Sequence, residues 1–479
     1  MFGTMKLMIC VLLLVGTMSP AYAQTLQQRV ETNLAAASSG TRFGLVVTDD
    51  AGKEIIAINP DKRFIPASNT KMFTTAAAYF TMEALDQPDT DGGTTVALQD
   101  KDVILMGFGD ARMSSSPDCA VDCLAKLADA VAAKTKRVRH IIGDATLWPD
   151  QRWSPGMSWN NVAERSGTGI AALSLDSNEM PLTVTASYPG MPPMIGFSSD
   201  YFTIDNRAKT VARGPTTIDV KRLPFERRVI VFGEISMEAK PEQIALGIDD
   251  PAHYAAWRLA ALLKERGVRV KGEIRSLYRD DPPTFPLMKP CPKKGCVKPE
   301  PTLVLARLSP PTLADDIRII NKVSQNLHAD LLARRLGGAK GLEGGLAVIE
   351  TMLTKAGVPR TAYDFSDGSG MSTYNRVAPR GAVTFLRWVA AQHWGTAWQA
   401  SLPVGGVDGT IARRFKGTAL EGRIFAKTGG LNATTALSGY MTAKSGRVLT
   451  FSIFANDVPA RTLAAPMMDT ALIMIAEAN

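Results

Sequence analysis

The sequence predicts an α+β fold in which an antiparallel sheet with helices carries one or two inserted, mostly β domains. Strand-like segments lie near both ends of the chain, at 42–59 and 423–456, and helical patterns lie between them. The 479 residues also exceed the usual length of a single domain. We therefore expect both ends to share one sheet and the middle of the chain to form the insertion.

The N-terminal hairpin is followed by a helix. Residues 42–59 alternate apolar and polar side chains around the turn 49–52, which is typical of a β-hairpin. The Ala- and Thr-rich stretch 67–82 is predicted to be helical. Ser68 then lies near the start of this helix, and Lys71 lies one turn later on the same face.

The middle of the chain is the expected insertion. Lys71 and Ser324 are separated by 252 residues, which is more than a helical subdomain needs. The stretch 278–301 is rich in Pro and Lys and is expected to be a connector. Short β segments are predicted at 102–106, 139–147, 182–184, 218–220 and 229–234.

Strands at 423–427, 435–442 and 448–456 are predicted before a final helix at 463–478. With the N-terminal hairpin they would form one sheet, so the chain leaves one domain and later returns to it. The predicted organisation is a signal peptide at 1–23, an outer domain of 24–85 and 305–479, one inserted domain of 86–175 and 272–304, and another of 176–271.

The first residues have the pattern of an export signal. Lys6 precedes an apolar run at 7–15, and small residues at 21–23 suggest cleavage before Gln24. A membrane anchor is the alternative, but a span needs about 20 apolar residues. We therefore expect an exported, periplasmic protein without a transmembrane helix in its mature chain, either free or loosely associated with the membrane.

The net charge and the cysteines indicate whether nucleic acid or a metal is an expected partner. The formal net charge is +8, yet no stripe of Arg and Lys interleaved with aromatic residues indicates nucleic-acid binding. Two close cysteine pairs, Cys119 with Cys123 and Cys291 with Cys296, predict two local disulfides in an exported protein. Zinc is the rival interpretation, but neither pair has Cys-x-x-Cys spacing, so no metal or other cofactor is expected.

Ser68 and Lys71 form the single Ser-x-x-Lys motif of the chain. A serine hydroxyl is a weak nucleophile until a base takes its proton. Lysine can be that base only if burial or a helix N-terminus lowers its pKa from about 10.4. The alternative is that Ser68 caps a helix and Lys71 is a solvated surface residue.

A second motif, Ser324-Gln325-Asn326, lies between two helical patterns. In an inter-helix loop, the Ser324 hydroxyl can relay a proton while the Asn326 amide holds Lys71 and a substrate carbonyl. Ser-x-Asn alone carries little weight, because 158–160 matches it too.

A third motif, Lys427-Thr428-Gly429, lies on a predicted strand. Lys427 supplies positive charge and Thr428 a hydroxyl for a substrate carboxylate, while Gly429 and Gly430 let a substrate strand approach the backbone. The alternative is an ordinary strand with a basic residue. The order of the three motifs favours one site for acyl transfer, and the chain has no His-Glu-x-x-His or Gly-x-Ser-x-Gly motif.

Together with segments 367–372, 374–376 and 405–410, these motifs resemble class C low-molecular-mass penicillin-binding proteins, the DacB-type D-alanyl-D-alanine carboxypeptidase/endopeptidases. The resemblance covers nearly the whole mature chain. It implies a transpeptidase/β-lactamase-like domain with nested domains, and an oxyanion hole formed by the backbone N–H groups of Ser68 and Gly430. It also implies the catalytic residues Ser68, Lys71, Ser324, Asn326 and Lys427.

Some positions depart from the family pattern. Gln325 stands where Asp is frequent, and Thr373 stands where a basic residue is common. In relatives that recognise diaminopimelate, an acidic and an aromatic residue meet the free amine of the substrate. Asp144 and Trp148 are the candidates here, and Asn432 is a candidate near Thr373.

The expected function is that of a penicillin-sensitive serine DD-peptidase, a D-Ala-D-Ala carboxypeptidase or DD-endopeptidase that acts on peptidoglycan stem peptides through a Ser68 acyl-enzyme. β-Lactam antibiotics are expected to be inhibitors. A catalytically inactive cell-wall-binding protein is the alternative from another class. A serine β-lactamase fits less well, because the 252-residue insertion has no place in those compact enzymes.

Overall fold

The computed structural model describes residues 24–197, 199–280 and 302–479. Within these residues the α-helices are α1 (Leu26–Ala35), α2 (Thr70–Thr81), α3 (Leu124–Lys134), α4 (Pro251–Glu265), α5 (Leu313–Lys322), α6 (Asn326–Leu336), α7 (Leu342–Lys355), α8 (Pro379–Ala390), α9 (Gly395–Ala400) and α10 (Ala465–Ala478).

The strands of the described residues are numbered in chain order. They are β1 (Arg42–Thr48), β2 (Glu54–Ile58), β3 (Thr95–Gln99), β4 (Asp102–Met106), β5 (Arg137–Val138), β6 (Ile141–Pro149), β7 (Glu179–Thr185), β8 (Met194–Gly196), β9 (Thr203–Asn206), β10 (Lys209–Val211), β11 (Asp219–Lys221), β12 (Arg228–Phe232), β13 (Glu234–Ser236), β14 (Glu242–Gly247), β15 (Arg269–Val270), β16 (Ile274–Arg279), β17 (Leu303–Arg307), β18 (Tyr363–Asp364), β19 (Arg376–Val377), β20 (Ile424–Leu431), β21 (Thr434–Thr442) and β22 (Val448–Asn456).

Strands from both ends of the chain form one antiparallel sheet, as the sequence predicts. Its order is β2-β1-β22-β21-β20, and Arg42 at the start of β1 lies opposite Asn456 at the end of β22. Strands β1 and β22 are buried along nearly their whole length, because both faces of the sheet are covered. The predicted hairpin, the three C-terminal strands and the final helix are therefore confirmed.

Helices cover the two faces of this sheet. On one face, α1 and α10 bury Leu34 and Leu472 against it. On the other face, α2 and α8 bury Phe73 and Phe385, whose ring centroids are 4.4 Å apart, near Phe454 of β22. Burial of large aromatic side chains stabilises this layer and fixes α2, which follows Ser68.

The insertion contains a second five-stranded sheet of order β16-β6-β4-β3-β17. It is mixed, because β6 is parallel to both β4 and β16, whereas β3 is antiparallel to β4 and β17. Helices α3 and α4, which the strand patterns did not predict, pack on it through Leu127 and Leu259. Strands β7 to β14 form three smaller sheets, of order β14-β7-β8, β11-β12-β9 and β10-β13. The domain boundaries predicted from the sequence stay predictions.

Cys119 and Cys123 form one of the two predicted disulfides, with their Cα atoms 5.7 Å apart. Cys291 and Cys296, and the predicted connector from 281 onward, lie outside the described residues. In the ranges that the structure covers, none of the helices combines the length and apolarity required to span a bilayer.

A buried ion pair ties the insertion together. The Arg222 guanidinium bonds both carboxylate oxygens of Asp249, and these two side chains are 1% and 4% exposed. The same guanidinium donates to the carbonyls of Val162 at 2.6 Å and Gly247 at 2.8 Å. Arg222 therefore anchors the segment that contains Val162 to the end of β14.

Replacing Arg222 is expected to destabilise the insertion. Arg222→Ala leaves the Asp249 carboxylate buried without its partner, which costs about 3 to 5 kcal/mol. Urea unfolding followed by tryptophan fluorescence measures this loss. The control is Arg228→Ala, which removes a pair with Asp205 whose Arg side chain is 55% exposed, so a change below about 1 kcal/mol is expected. Equal losses in both variants would contradict the assignment.

Candidate active site

Ser68 lies in a short 3₁₀ turn, Ala67–Asn69, that leads directly into α2. Ser68 therefore lies two residues before the first residue of α2. This agrees with the prediction that it lies near the start of the helix. Ala67 has a φ of 47°, an uncommon value for a residue with a side chain. Ala67, Asn69 and Lys71 are buried while Ser68 is half-exposed, so the hydroxyl is the accessible part of this turn.

Lys71 is buried and points at the Ser68 hydroxyl. Its Nζ lies 2.9 Å from Ser68 Oγ, 2.7 Å from Asn326 Oδ1 and 2.5 Å from the carbonyl oxygen of Ser369. Burial lowers the pKa of Lys71 from 10.5 to about 8, although the carboxylates of Asp367 and Asp330 oppose this shift. The alternative of a solvated surface lysine is therefore wrong, and the geometry allows Lys71 to accept the Ser68 proton.

The second motif occupies the loop between α5 and α6, as predicted. Ser324 has a φ of 64°, and this left-handed backbone turns the chain from one helix into the next. The side chain of Gln325 caps α6 by accepting a hydrogen bond from the Leu327 N–H. Asn326 is the first residue of α6, and its side-chain N–H donates to the Ser166 carbonyl at 3.2 Å.

Lys427 of the third motif meets the second motif. Its Nζ lies 2.8 Å from Ser324 Oγ and 3.1 Å from the carbonyl of Thr428. Burial and the charge of Lys71 lower the pKa of Lys427 well below its ordinary value. The five predicted catalytic side chains thus form two hydrogen-bonded groups. Ser68, Lys71 and Asn326 make up one group, and Ser324 and Lys427 make up the other.

Strand β20 passes very close to the Ser68 turn. A Cβ atom on Gly429 would lie 2.4 Å from the Pro66 carbonyl oxygen, so only glycine permits this approach. The Asn69 side chain fixes the same contact by donating to the Lys427 carbonyl at 2.8 Å. Gly430 is exposed, with no neighbour within 4 Å of the position of a Cβ atom.

The outer edge of β20 is covered along only part of its length. The Gly405 N–H donates to the Ile424 carbonyl, and the Ala426 N–H donates to the Pro403 carbonyl. Beyond Lys427, no other strand of the described residues pairs with this edge. Thr428 lies where the open edge begins, and its hydroxyl donates to Thr410 Oγ1 at 2.7 Å.

The loop after β18 supports Lys71 from the other side. Asp367 is fully buried and accepts hydrogen bonds from the backbone N–H groups of Gly370 and Ser372 and from the Asn375 side chain. These bonds present the Ser369 carbonyl to Lys71. The Asp-Gly-Ser-Gly sequence signalled a turn here, but sequence reasoning assigned it no role.

A segment of the insertion, residues 151–168, lies over the candidate site. Its Gly156 carbonyl accepts hydrogen bonds from the Thr373 N–H and hydroxyl, and its Pro155 carbonyl accepts from the Ser372 hydroxyl at 2.5 Å. Sequence reasoning gave this segment no role in the site, because the bonds that place it there come from backbone carbonyls. The rival Ser-x-Asn within it consists of two exposed residues that bond each other.

The remaining predicted contacts lie apart from this network. Asp144 is half-buried on β6 and accepts hydrogen bonds from the Thr146 N–H and hydroxyl. Trp148 is 4% exposed and packs against Gly109 and Gly341, so it presents almost no surface to a ligand. Neither side chain bonds any of the five motif residues within the described ranges. Asn432 is exposed in the turn after β20.

The arrangement has the parts needed for acyl transfer: a nucleophile, an adjacent buried base and a second cation at the substrate edge. In the part of the chain that the structure describes, no group of three or more His, Cys, Asp or Glu side chains is placed to hold a metal ion.

Several known proteins resemble this chain in sequence. The sequence model of the D-Ala-D-Ala carboxypeptidase 3 (S13) family matches residues 26–288 and 293–477. A D-alanyl-D-alanine carboxypeptidase of Actinomadura sp. is 31% identical over 88% of this chain and 78% of its own length. The carboxypeptidase DacB of Haemophilus influenzae is 25% identical over 90% of this chain and 89% of its own.

Solved structures show the same fold. Penicillin binding protein 4 (dacB) from Haemophilus influenzae superposes with a TM-score of 0.76 at 21% identity, covering 92% of this chain and 97% of that one. The same protein complexed with a β-lactam superposes with a TM-score of 0.70 over the same coverage. With the family match spanning nearly all of the described residues, the chain belongs to the D-Ala-D-Ala carboxypeptidase 3 (S13) family.

Proposed function

We propose that this chain is a penicillin-sensitive serine DD-peptidase that cleaves the bond after D-alanine in peptidoglycan stem peptides through an acyl-enzyme on Ser68. The observation that carries the proposal is the buried Lys71 Nζ at 2.9 Å from Ser68 Oγ, with a pKa lowered to about 8. The relatives named as D-Ala-D-Ala carboxypeptidases and the neighbour complexed with a β-lactam support it.

In the proposed acylation step, the Ser68 oxygen attacks the carbonyl carbon of the penultimate D-alanine while its proton passes to Lys71 Nζ. The developing oxyanion accepts hydrogen bonds from the backbone N–H groups of Ser68 and Gly430. As the C–N bond breaks, the leaving amine takes up the proton from Lys71, directly or through the Ser324 hydroxyl. The products are an ester that joins the acyl part of the stem peptide to Ser68, and either free D-alanine or the second peptide, released with a free amino group.

In the proposed deacylation step, water replaces the departed amine. The water oxygen attacks the ester carbonyl while Lys71 accepts a proton from the water. The Ser68 oxygen then leaves the carbonyl carbon and takes that proton from Lys71. Asn326 holds Lys71 in place at 2.7 Å through both steps. A β-lactam would acylate Ser68 in the same way. Its leaving amine is part of the opened ring and stays joined to the acyl group, so it keeps water from reaching the ester.

Lys427 and Thr428 are the proposed contacts of the substrate's terminal carboxylate. The buried Lys427 of β20 would supply positive charge beside Ser324, and the Thr428 hydroxyl lies at the open edge. A stem peptide would add to that edge as a short strand, with Gly429 and Gly430 allowing close approach. Asn432 and Asp144 are proposed as outer contacts of the same peptide, with Trp148 supporting the strand that carries Asp144.

The proposed location is the periplasm. The export signal predicted at 1–23 lies outside the described residues, so the proposal of an exported protein rests on the sequence pattern. An exported enzyme would meet peptidoglycan, which is the substrate that the proposed chemistry requires.

Ser68→Ala is expected to abolish covalent labelling by a fluorescent penicillin, because it removes the accessible hydroxyl that lies 2.9 Å from the buried Lys71 Nζ. Gel fluorescence after denaturation measures the label. The control is Ser445→Ala, in the exposed turn between β21 and β22, which should label like wild type. Persistent labelling of a folded Ser68→Ala protein would refute the role of Ser68.

The acylation rate is expected to rise with pH and level off above about 8, because Lys71 accepts the Ser68 proton only when it is neutral and burial lowers its pKa to about 8. The second-order rate constant for penicillin labelling, measured from pH 5.5 to 9.5, gives the profile. Below the plateau the rate should fall about tenfold per pH unit. A rate that is independent of pH between 6 and 9 would exclude Lys71 as the base.

Purified muropeptides distinguish the activities that this site can perform. Monomeric pentapeptides should lose D-alanine, cross-linked dimers should be cleaved to monomers, or both, and liquid chromatography with mass detection identifies the products. Rapid turnover of a chromogenic cephalosporin would instead indicate a β-lactamase. Absence of both hydrolysis and acylation would favour an inactive cell-wall-binding protein.

A further inference from the structure

We infer that Asp330 and Arg334 form a buried, charge-balanced pair that positions the carbonyl behind Lys71 and decides how readily Lys71 gives up its proton. The inference rests on the proposed function and extends it to two residues outside the three motifs. Both act through Lys71 and through the loop that supports it, so they are positioning residues.

One face of α6 carries three polar side chains toward the site. Asn326, Asp330 and Arg334 are spaced four residues apart, so they lie one above the other along the helix. Asp330 is 6% exposed and Arg334 is 3% exposed. Charged side chains are rarely buried to this extent unless they are paired. We therefore expect Asp330 and Arg334 to be held in the interior by specific partners.

Asp330 connects this helix to the loop behind Lys71. Its Oδ1 accepts a hydrogen bond from the Gly368 N–H at 3.1 Å. The Gly368 carbonyl in turn accepts from the Thr74 hydroxyl of α2 at 2.7 Å. The next residue, Ser369, presents its carbonyl oxygen to Lys71 Nζ. Asp330 therefore holds one end of the peptide segment that contacts the base.

Glycine at position 368 makes this connection possible. A Cβ atom there would lie 2.5 Å from the Cβ of Ala333 and 2.8 Å from the Ala329 carbonyl oxygen. The loop therefore sits directly on α6, at the level of Asp330. Such close packing leaves no room for water between the carboxylate and the Gly368 N–H.

Arg334 balances the charge of Asp330. Its Nη1 lies 3.3 Å from Asp330 Oδ1 and also donates to the Asp330 carbonyl, while its Nη2 donates to the Gln151 carbonyl at 2.8 Å. Gln151 begins the segment of the insertion that lies over the site. The pair therefore links α6 both to the loop behind Lys71 and to that covering segment.

The charges that face Lys71 come from three neighbouring elements. Asp330 of α6 and Asp367 of the supporting loop favour its ammonium form, while Lys427 of β20 lies close enough for the two lysines to repel each other. Arg334 pairs with Asp330 and is also attracted by Asp367. The loss of either member of the pair therefore changes the balance of charge at Lys71.

The two single substitutions should act in opposite directions. Asp330→Asn keeps an oxygen for the Gly368 N–H but removes a negative charge, so the Lys71 ammonium is less favoured and the acylation profile moves to lower pH. Arg334→Met removes a positive charge and leaves the carboxylate, so the profile moves to higher pH. The double variant removes both charges and should return close to the wild-type profile.

The experiment is the pH profile of penicillin labelling for wild type and the three variants. Each single substitution should move the midpoint by at least about half a pH unit, the smallest effect expected for a buried charge within several ångströms. The control is Asp469→Asn, which removes the carboxylate that α10 pairs with Arg414. Helix α10 packs on the opposite face of the sheet from α2, so this variant should leave the midpoint unchanged. Circular dichroism verifies folding.

The outcomes are distinct. Opposite midpoint shifts in the two single variants, restored in the double variant, support the inference, because general damage to the fold would lower the rate without moving midpoints in opposite directions. Unmoved midpoints, or shifts in the same direction, overturn it. If Asp330→Asn does not fold, the direction of the Arg334→Met shift decides alone. Wild-type protein without Ser68-dependent labelling would refute the proposed function itself.

Discussion

The burial of the Lys71 side chain is the constraint on which the rest of the site depends. A buried ammonium is unfavourable without partners, and the fold supplies three oxygen atoms from three different elements to its Nζ. Those elements are the Ser68 turn, the start of α6 and the loop after β18. The hydrogen bonds of one ammonium group therefore fix the Ser68 turn and α2 against residues that lie 255 and 298 positions after Lys71 in the sequence.

Much of the site was predictable because its chemistry is concentrated in short, ordered motifs. Ser-x-x-Lys at a helix start and Ser-x-Asn between two helices are local patterns, and the structure places both near where the sequence did. The sheet was predictable for a similar reason, since the hairpin pattern of 42–59 and the strand patterns of 423–456 are local features near the two ends of the chain. These features need no knowledge of distant contacts.

The parts that sequence reasoning missed all depend on distant contacts. Arg334 reads as an ordinary basic residue near the end of a helix, and only its burial against Gln151 and Asp330 reveals its role. The covering segment 151–168 contributes mostly backbone carbonyls, which every residue possesses, so its sequence does not reveal its role. Trp148, chosen as an aromatic contact, instead fills the interior between the insertion and α7.

The partial covering of β20 limits the length of any peptide that can pair with this strand. Residues 403–405 occupy the edge as far as Ala426, and the turn at Asn432 ends the strand, so only the stretch Thr428–Leu431 is available. At about 3.3 Å per residue, this opening spans roughly 13 Å. An unpaired edge normally invites any extended chain, including a second copy of the protein. This opening has room for only a few backbone hydrogen bonds, which suits the end of a small peptide.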